Sequence, residues 1–290
     1  MSLTDIGKLA GCTRVNVHYK LKRFGIEARS KTEARTLALD KGKIKTTKTD
    51  SFGNEEEIVF QKIRYNENFF KVWSEEMAYV LGLIYTDGNL HIRKDRSGYE
   101  LGTLSFGQKD KELVEKFLNM IDCDATVRYR KRQKIKNVTS GELYYFSIGN
   151  NDLTNDLIKL GVTPNKSLNM IFPEIPDLFF RHFVRGLFDG DGSVYLDGAT
   201  LRVKLLSGSD QFIETLNIRL EKFSFPLRNI DKSYTIKDGI KTTNANVICY
   251  SAKSVVRKFY DFIYNNVEDH MYYNRKRKKF IDNWDKLIYK

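Results

Sequence analysis

Two aspartates, Asp87 and Asp191, stand in the setting that most strongly indicates chemistry. Each is the eighth residue of a nine-residue stretch that occurs twice, as VLGLIYTDG at 80–88 and as VRGLFDGDG at 184–192. Each copy has the pattern of a buried helix that ends in Asp-Gly, with apolar residues on more than one face. The closing glycines, Gly88 and Gly192, fit a left-handed residue after the helix C-terminus, which glycine adopts without strain.

The two copies are predicted to pack against each other. Gly82 and Thr86 in the first copy, like Gly186 and Gly190 in the second, are four positions apart and therefore line one helical face. Such small residues let two helix backbones approach closely, so the Asp-Gly ends would meet across a pseudo-twofold axis. Two unrelated helix ends would account for one copy, but not for two copies with matching glycines.

A pair of aspartates in this position calls for positive charge. An aspartate at a helix C-terminus faces the negative end of the helix dipole, and a second carboxylate nearby adds repulsion. Divalent cations would relieve both effects, because carboxylate oxygens and water suit Mg²⁺, and two ions about 4 Å apart can stabilise the attacking and leaving oxygens of a phosphodiester. The sequence therefore predicts Asp87 and Asp191 as ligands of catalytic metal ions.

The two nonapeptides resemble the two motifs of single-chain LAGLIDADG homing endonucleases. Both keep the third-position glycine, the eighth-position aspartate and the final glycine, and the aspartates lie 104 positions apart. Tyr85 departs from the usual sixth-position acid, which Asp189 retains. The resemblance covers about residues 71–290 and implies a double-strand DNA endonuclease that uses two or more Mg²⁺ ions, with Mn²⁺ as a substitute. It also adds Gly88 and Gly192 to the metal site.

The same resemblance implies short 3′ overhangs, cleavage across the minor groove, a long degenerate target and intron homing. In this family a polar residue at the end of the second strand and a lysine after the third helix organise water around the metals. Gln108 and Lys166 match these positions in the first half, and Lys276 is the choice for the second lysine. The equivalent of Gln108 in the second half falls near Gly208. The basic cluster around Lys276 also fits a phosphate-contacting or solvated helix end.

The elements that must position these residues occur in the same order in both halves. In the first half, after the motif helix, strands are predicted at 90–94 and 99–106, a helix at 109–121, strands at 125–131 and 143–148, and a helix at 152–160. In the second half a helix is predicted at 177–189, strands at 193–196 and 201–206, a helix at 210–223, strands at 228–237 and 247–251, and a helix at 252–264. The fold class is therefore α+β, with two pseudo-symmetric αββαββα halves at 71–176 and 177–290.

Residues 1–40 are predicted to form a small all-α helix-turn-helix unit. Gly11 breaks the first helix, Thr13 caps the second, and Val15, Val17 and Leu21 continue the core. The first 50 residues contain twelve Lys and Arg against five Asp and Glu, a net charge of +7. Short helix pairs also occur without DNA contact, and it is this charge that favours DNA binding. The candidates for facing a DNA groove are Arg14, Asn16, His18 and Tyr19.

Residues 41–70 have the composition of a basic linker, with a short helix at 58–65. Further along, Arg128, Arg130 and Arg132 share one face of a strand, and Arg202 and Lys204 face away from a core. Crowded like charges on a sheet repel unless an anion balances them, and Arg reads guanine in the major groove. A DNA-facing sheet is the favoured interpretation, and a solvated sheet face is the alternative.

The bulk composition points to a polyanionic partner. The chain has a formal charge of +12 and a pI near 9.4, which makes double-stranded DNA the first candidate. Two other functions on the same fold remain open, an RNA maturase whose partner is intron RNA and a DNA-binding regulator without catalysis. A regulator would be expected to lack one of the eighth-position acids, and both are present. A helix-turn-helix suits duplex DNA better than folded RNA.

The remaining expectations concern assembly and location. With both motifs in one chain, a monomer is expected. Cys12, Cys123 and Cys249 are scattered and form no disulfide or zinc pattern, which indicates a reducing, DNA-containing compartment such as the cytoplasm. The N-terminal residues do not form a signal peptide, and no apolar run could span a membrane, so the protein is expected to be neither secreted nor bound to a membrane. The chain termini lack the residues that protein splicing needs, which argues against an intein.

Overall fold

The computed structural model divides the chain into two compact units, Met1–Ile63 and Arg64–Lys290. No helix among the described residues is both long enough and apolar enough to cross a membrane. The residues that the structure describes are 1–49, 55–60, 63–94, 98, 100–131, 133–135, 138–164, 170–237 and 240–287.

The first unit contains three helices followed by a pair of antiparallel strands. Its elements are α1 (Leu3–Leu9), α2 (Arg14–Arg23), α3 (Lys31–Asp40), β1 (Ile44–Thr49) and β2 (Glu55–Phe60). Thr13 caps α2 as predicted, since its Oγ1 accepts a hydrogen bond from the N–H of Asn16 at 3.2 Å. The chain turns between α1 and α2 at Gly11, whose φ of +63° is left-handed. This arrangement is the predicted helix, turn and helix.

Two details predicted for this unit are wrong. The described residues of 58–65 contain no helix, because residues up to Phe60 belong to β2, where adjacent β-branched residues favour an extended chain. Val15 is 59% exposed, and Val17 is the buried residue of α2. Two positions along a helix correspond to a rotation of about 200°, so these two valines cannot face the same core. The hairpin of β1 and β2 lies within the range 41–70, for which the sequence predicts a linker.

The second unit begins with a mixed half built around one antiparallel sheet. Its elements are α4 (Glu75–Asp87), β3 (Gly88–Lys94), β4 (Glu100–Gln108), α5 (Lys111–Met120), β5 (Arg128–Arg130), β6 (Gln133–Ile135), β7 (Val138–Ser140), β8 (Leu143–Gly149) and α6 (Asn151–Lys159). The strand order in the sheet is β3-β4-β8-β5, and β6 and β7 form a separate short pair. The predicted order of elements is confirmed, apart from the additional short pair.

The following half repeats this order and extends it. Its elements are α7 (Asp177–Gly190), β9 (Ser193–Asp197), β10 (Thr200–Ser207), α8 (Asp210–Lys222), β11 (Asp231–Lys237), β12 (Ile240–Tyr250), α9 (Lys253–Tyr264) and α10 (Asn274–Ile281), with 3₁₀ turns at Asp269–Met271 and Trp284–Lys286. Read from the other edge, the sheet order is β9-β10-β12-β11, which corresponds strand by strand to β3-β4-β8-β5 in the first half. The α+β class is confirmed, and α10 lies beyond the predicted repeat.

The motif helices α4 and α7 pack directly backbone to backbone. A Cβ added at Gly82 would lie 2.4 Å from the carbonyl oxygen of Phe183, and one added at Gly186 would lie 2.2 Å from that of Tyr79. The two glycine Cα atoms face each other, because each Cβ would also come within 2.9 Å of the other glycine's Cα. The predicted stripe of small residues therefore forms the crossing point of the two helices.

This close crossing predicts a large loss of stability for Gly186→Ala. The new methyl group would meet backbone atoms of α4 that cannot move without separating the helices, so we expect the free energy of unfolding to fall by about 3 kcal/mol. Urea denaturation measures the change. Gly141→Ala is the matched control, because no atom lies within 4 Å of a Cβ at that position. Equal stability of the two variants would contradict the close packing.

The glycines that close the motifs are required by space rather than by conformation. Gly88 has φ −75° and ψ 146°, and Gly192 is not among the residues with positive φ, so the predicted left-handed cap is wrong. A Cβ at Gly88 would lie 2.7 Å from the Cα of Ile84, and one at Gly192 would lie 2.4 Å from the ring of Phe188. The chain passes directly from each helix end into a strand, and this path leaves no room for a side chain.

Among the isolated histidines, His182 in α7 is a core residue. It is 1% exposed, its Nε2 accepts a hydrogen bond from the Nε of Arg181 at 3.1 Å, and the same atom lies 3.5 Å from Glu75 Oε2. Burial, and then the positive charges of Arg185 and Arg181, lower the pKa of His182 to about 3. The folded protein therefore holds this imidazole neutral.

A pH-dependent loss of stability follows for His182. Because its folded pKa lies below the ordinary value, protonation favours the unfolded chain as the pH falls below about 6.5. The free energy of unfolding should decrease between pH 7 and pH 4.5 by about 2 kcal/mol more in the wild type than in His182→Gln, which keeps an acceptor for Arg181. Urea denaturation at several pH values measures both proteins. Parallel curves would show that His182 does not carry this dependence.

Candidate active site

The C-terminal ends of α4 and α7 meet at Asp87. Its Oδ2 accepts hydrogen bonds from the Nε2 of Gln108 at 2.6 Å and from the Oγ1 of Thr86 at 3.2 Å. A Cβ placed on Gly190 would lie only 2.8 Å from the same oxygen and 1.9 Å from Thr86 Oγ1. The backbone of the second motif therefore lies against the carboxylate of the first.

The two motif aspartates repel each other, with Asp87 largely buried and Asp191 exposed. Burial is the largest cause that raises the pKa of Asp87 to about 6, and the negative charge of Asp191 is the next. The hydrogen bonds from Gln108 and Thr86 and the charge of Lys276 lower the pKa but do not cancel these effects. The structure thus contains the accumulation of negative charge that the sequence predicts.

Lys276, from α10, is placed on the end of the second motif helix. Its Nζ donates to the carbonyl oxygens of Phe188 at 2.7 Å, Gly190 at 2.7 Å and Gly192 at 2.6 Å. Three hydrogen bonds use all the donors of an ammonium group, and the residue is 8% exposed. Burial lowers the pKa of Lys276 to about 8, although Asp189, Asp87 and Asp191 oppose this shift. The ammonium group therefore satisfies helix-end carbonyls and adds positive charge beside the aspartates.

A buried polar cluster behind the second motif was missed by sequence reasoning. Asp189 is fully buried, and its carboxylate accepts hydrogen bonds from the hydroxyls of Tyr79 and Tyr264, each at 2.8 Å, and from the N–H of Tyr273 at 2.9 Å. Burial raises the pKa of Asp189 to about 6. The only signal in the sequence was the acid at the sixth motif position. Its partners lie 75 to 110 positions away.

The sixth position of the first motif is used differently. Tyr85 points into the first half, where its hydroxyl donates to the carbonyl oxygen of Leu160 at 3.2 Å. Its ring stacks on Phe212 with centroids 5.7 Å apart and meets Phe183 edge on. Tyr85 therefore packs in the interface between the halves, whereas Asp189 accepts hydrogen bonds from the first motif helix and from the C-terminal part of the chain.

Comparison with known families finds a match in the second half of the chain. The sequence model of the family described as LAGLIDADG-like domain matches residues 179–263, which run from α7 to α9. This part of the chain is therefore similar to LAGLIDADG-like domains. The match includes the second motif and Asp191, and the first motif lies outside it.

Similarity to a curated protein is also partial. The probable translation initiation factor IF-2 of Methanocaldococcus jannaschii is 35% identical over 117 residues, which are 38% of this chain and 10% of that protein. This chain therefore spans about a tenth of the length of that relative.

Among solved structures, LAGLIDADG meganuclease I-AabMI bound to uncleaved DNA is 12% identical, covers 71% of this chain and 88% of its own, and has a TM-score of 0.45. Homing endonuclease I-WcaI bound to its DNA recognition sequence is 17% identical, with coverages of 73% and 90% and a TM-score of 0.43. I-DmoI in complex with DNA and manganese is 14% identical, with coverages of 67% and 98% and a TM-score of 0.41. With TM-scores below 0.5, these similarities add nothing to the family match.

The sheet register refines one equivalence between the halves. Gly88 lies opposite Phe106, and Ser193 lies opposite Lys204, so Gly192 corresponds to Gly88 only if Leu205 corresponds to Phe106. The counterpart of Gln108 in the second half is then Ser207, the neighbour of Gly208. The Oγ of Ser207 accepts a hydrogen bond from the N–H of Ser209 at 3.2 Å, and its side chain is too short to act as Gln108 does.

The predicted lysine of the first half, Lys166, lies outside the described residues, as does Arg132. Arg128 and Arg130 are exposed on β5 and alternate with Tyr129, whose ring packs at a tilt of 40° against Tyr144 with centroids 4.9 Å apart. Both arginines therefore project from one face of this edge strand.

The basic residues predicted on β10 already have partners on β9, in the sheet of the second half. Arg202 lies 2.8 Å from Asp197 through its Nε, and the Nζ of Lys204 lies 5.0 Å from the ring centroid of Tyr195. A hydrogen bond with Tyr195 raises the pKa of Lys204. A nucleic acid that contacts these two residues must compete with these partners.

The helix-turn-helix candidates do not share one face of α2. Arg14, Asn16 and His18 are all exposed. Arg14 and His18 are four positions apart and lie on the same face with Val15 and Tyr19, whereas Asn16 is about 200° from Arg14 around the helix. A groove that contacts Arg14 and His18 is therefore turned away from Asn16.

Proposed function

We propose that the chain is a metal-dependent, site-specific double-strand DNA endonuclease. The observation that supports this function best is the meeting of two helix C-termini, each with an aspartate at the eighth motif position. Asp191 raises the pKa of Asp87, whose carboxylate lies against the backbone of Gly190. Two carboxylates at matching motif positions, one largely buried at Asp87 and one exposed at Asp191, suit divalent cations that solvent and DNA can reach, and they disfavour a purely structural role.

The donor chemistry fits Mg²⁺, with Mn²⁺ as a substitute. Asp87 and Asp191 would hold the ions through hard carboxylate oxygens. The carbonyl oxygens of Gly88 and Gly192 are proposed as backbone ligands, and that of Gly192 already accepts a hydrogen bond from Lys276 at 2.6 Å. Within the described ranges no group of three or more His, Cys, Asp and Glu could hold a metal, so water and DNA phosphates would supply the remaining ligands. When bound, such ions activate water and neutralise charge on the phosphate.

The other residues of the site orient these two carboxylates. Gln108 directs its amide N–H at Asp87 and so fixes the plane of that carboxylate. Lys276 holds the backbone from Phe188 to Gly192 and thereby the position of Asp191. Its positive charge, beside Asp87 and Asp191, would also help to balance negative charge on a bound phosphate. Lys166 is proposed as the counterpart of Lys276 in the first half.

Double-stranded DNA is the proposed substrate. The net charge of +12 favours a polyanion, and Arg128 and Arg130 on an exposed edge strand can contact phosphates or base edges. One chain supplies both aspartates, so a monomer suffices for cleavage of both strands. In the first unit, Arg14 and His18 on α2 are the residues that we expect to contact DNA.

Digestion of a randomised DNA library tests the function and delivers the target together. The purified protein is incubated with the library in Mg²⁺ and in EDTA, and the new ends are sequenced, with the Asp87→Asn/Asp191→Asn double variant as control. Discrete Mg²⁺-dependent ends that are absent from the control would support the nuclease. Tight binding without cleavage would favour a DNA-binding regulator. Selective binding to intron RNA would favour a maturase.

A further inference from the structure

A short segment of the second half contacts the first half close to the candidate active site. We call residues 269–273, which precede α10, the strap. Lys116, on α5 of the first half, donates from Nζ to the carbonyl oxygens of Asp269 at 2.8 Å and Tyr272 at 2.9 Å. The same Nζ lies 2.8 Å from Glu112 Oε1, and the side chain is only 15% exposed. The ammonium group of Lys116 therefore uses its donors on two carbonyl groups of the strap and on Glu112.

Helix α7 of the second half binds two other residues of the strap, Met271 and Tyr273. The Nε of Arg185, which is fully buried in α7, donates to the carbonyl oxygen of Met271 at 2.6 Å. The N–H of Tyr273 donates to Asp189 Oδ2 at 2.9 Å. The first half therefore binds the strap at residues 269 and 272, and α7 binds it at residues 271 and 273.

The strap leads directly into the residue that supports the second motif. Helix α10 begins at Asn274, immediately after the strap, and Lys276 belongs to its first turn. Two further contacts to α5 continue the attachment, since the side chain of Asn274 donates to Glu112 and the Nε of Arg275 lies 3.3 Å from Asp110. The position of Lys276 on α7 is consequently set from both halves.

We infer that Lys116 is a positioning residue for the active site, which acts by holding the strap so that Lys276 stays on the end of the second motif helix. The first half thus supports the part of the site that carries Asp191, and the two halves complete it only when they are packed. The catalytic part of this inference rests on the proposed function, whereas the contact of Lys276 with α7 does not depend on it.

A pair of matched substitutions on α5 tests the inference. Lys116→Met removes the charge and keeps the length of the side chain. Lys111→Met, on the same helix, removes an equal charge from a residue whose only ion pair is the exposed contact with Glu115 at 2.6 Å among the described residues. Both variants therefore change the net charge of the protein alike. Only Lys116→Met releases the strap.

The first measurement needs no DNA. The full chain is treated with acetic anhydride, and the acetylation rate of each lysine is followed by peptide mass spectrometry. In the wild type and in Lys111→Met, we expect buried Lys276 to react at least about tenfold more slowly than the exposed lysines. In Lys116→Met its rate should rise about fivefold or more, and Lys116→Arg, which can still donate to the strap, should restore the protection. Unchanged protection of Lys276 in Lys116→Met would overturn the inference.

The second measurement is single-turnover cleavage at saturating protein. Lys116→Met is expected to cleave about tenfold more slowly than Lys111→Met, with DNA affinities within about twofold, because a small displacement of a supporting group reduces the rate rather than the binding. If Lys276 becomes reactive in Lys116→Met but the two variants cleave at equal rates, the inference would also be overturned. If Lys116→Met fails to fold, Glu112→Gln loosens the same contact, and an unchanged Lys276 would then refute the inference. Absence of cleavage by the wild type would refute the nuclease alone, while acetylation still decides the role of the strap.

Discussion

Replacing Asp87 or Asp191 by Asn is expected to reduce the rate of DNA cleavage at least about a thousandfold while DNA affinity changes by less than about threefold. Asn has the shape of Asp but lacks the charge that would hold a divalent cation. The DNA contacts proposed above lie on the edge strand and on α2, so binding should persist. Single-turnover cleavage and a binding titration in Ca²⁺ measure the two quantities separately.

The electrostatics of the site make the same substitution a test of folding. Because burial and Asp191 raise the pKa of Asp87, its ionised form is unfavourable in the folded protein without a cation. Asp87→Asn should therefore melt at the same temperature as the wild type or at a higher one in EDTA. Asp152→Asn, at an exposed position in the first turn of α6, is the control that should cleave normally. A variant at Asp87 that cleaves at the full rate would remove this residue from the mechanism.

The parts of this molecule that sequence could predict are those set by local patterns. The motif helices follow from apolar residues on several faces, and their crossing follows from Gly82 and Gly186, because small residues at helical spacing allow one close approach. The strands and helices between the motifs follow from alternation and periodicity. Gln108 was assigned through the family resemblance, which expects a polar residue at the end of the second strand, and the structure brings it to within 2.6 Å of Asp87.

The contacts that hold the site together could not be predicted in this way. Lys116 meets Tyr272 across 156 positions, and Tyr79 meets Asp189 across 110, so neither pair leaves a periodic signal. The sequence also could not show why residue 88 is a glycine. A glycine after a helix usually indicates a left-handed turn, whereas Gly88 is required because there is no space for a side chain beside Ile84. Local patterns thus place the aspartates, whereas the support behind them depends on long-range packing.

Deletion of residues 1–63 is expected to weaken DNA binding about 10-fold to 100-fold at 0.15 M salt and to leave the cleavage rate at saturating protein unchanged. The deleted unit carries 13 Lys and Arg against eight Asp and Glu, and α2 exposes Arg14 and His18 on one face. Fewer phosphate contacts release fewer counterions, so the slope of log affinity against log salt should become shallower by about two or more. All the proposed catalytic residues lie in the second compact unit, Arg64–Lys290, so the chemical step should persist.

Point substitutions separate a specific contact of α2 from the effect of charge alone. Arg14→Ala/His18→Ala removes one formal positive charge at neutral pH from the exposed face of α2, and Lys8→Ala removes one from the last turn of α1. If α2 lies against DNA, the double variant should lose about 1–3 kcal/mol of binding free energy and relax the sequence preference at one end of the target. Lys8→Ala should lose less and keep the preference. An unchanged salt slope after deletion of residues 1–63, together with equal behaviour of the two point variants, would mean that the first unit takes no part in binding DNA.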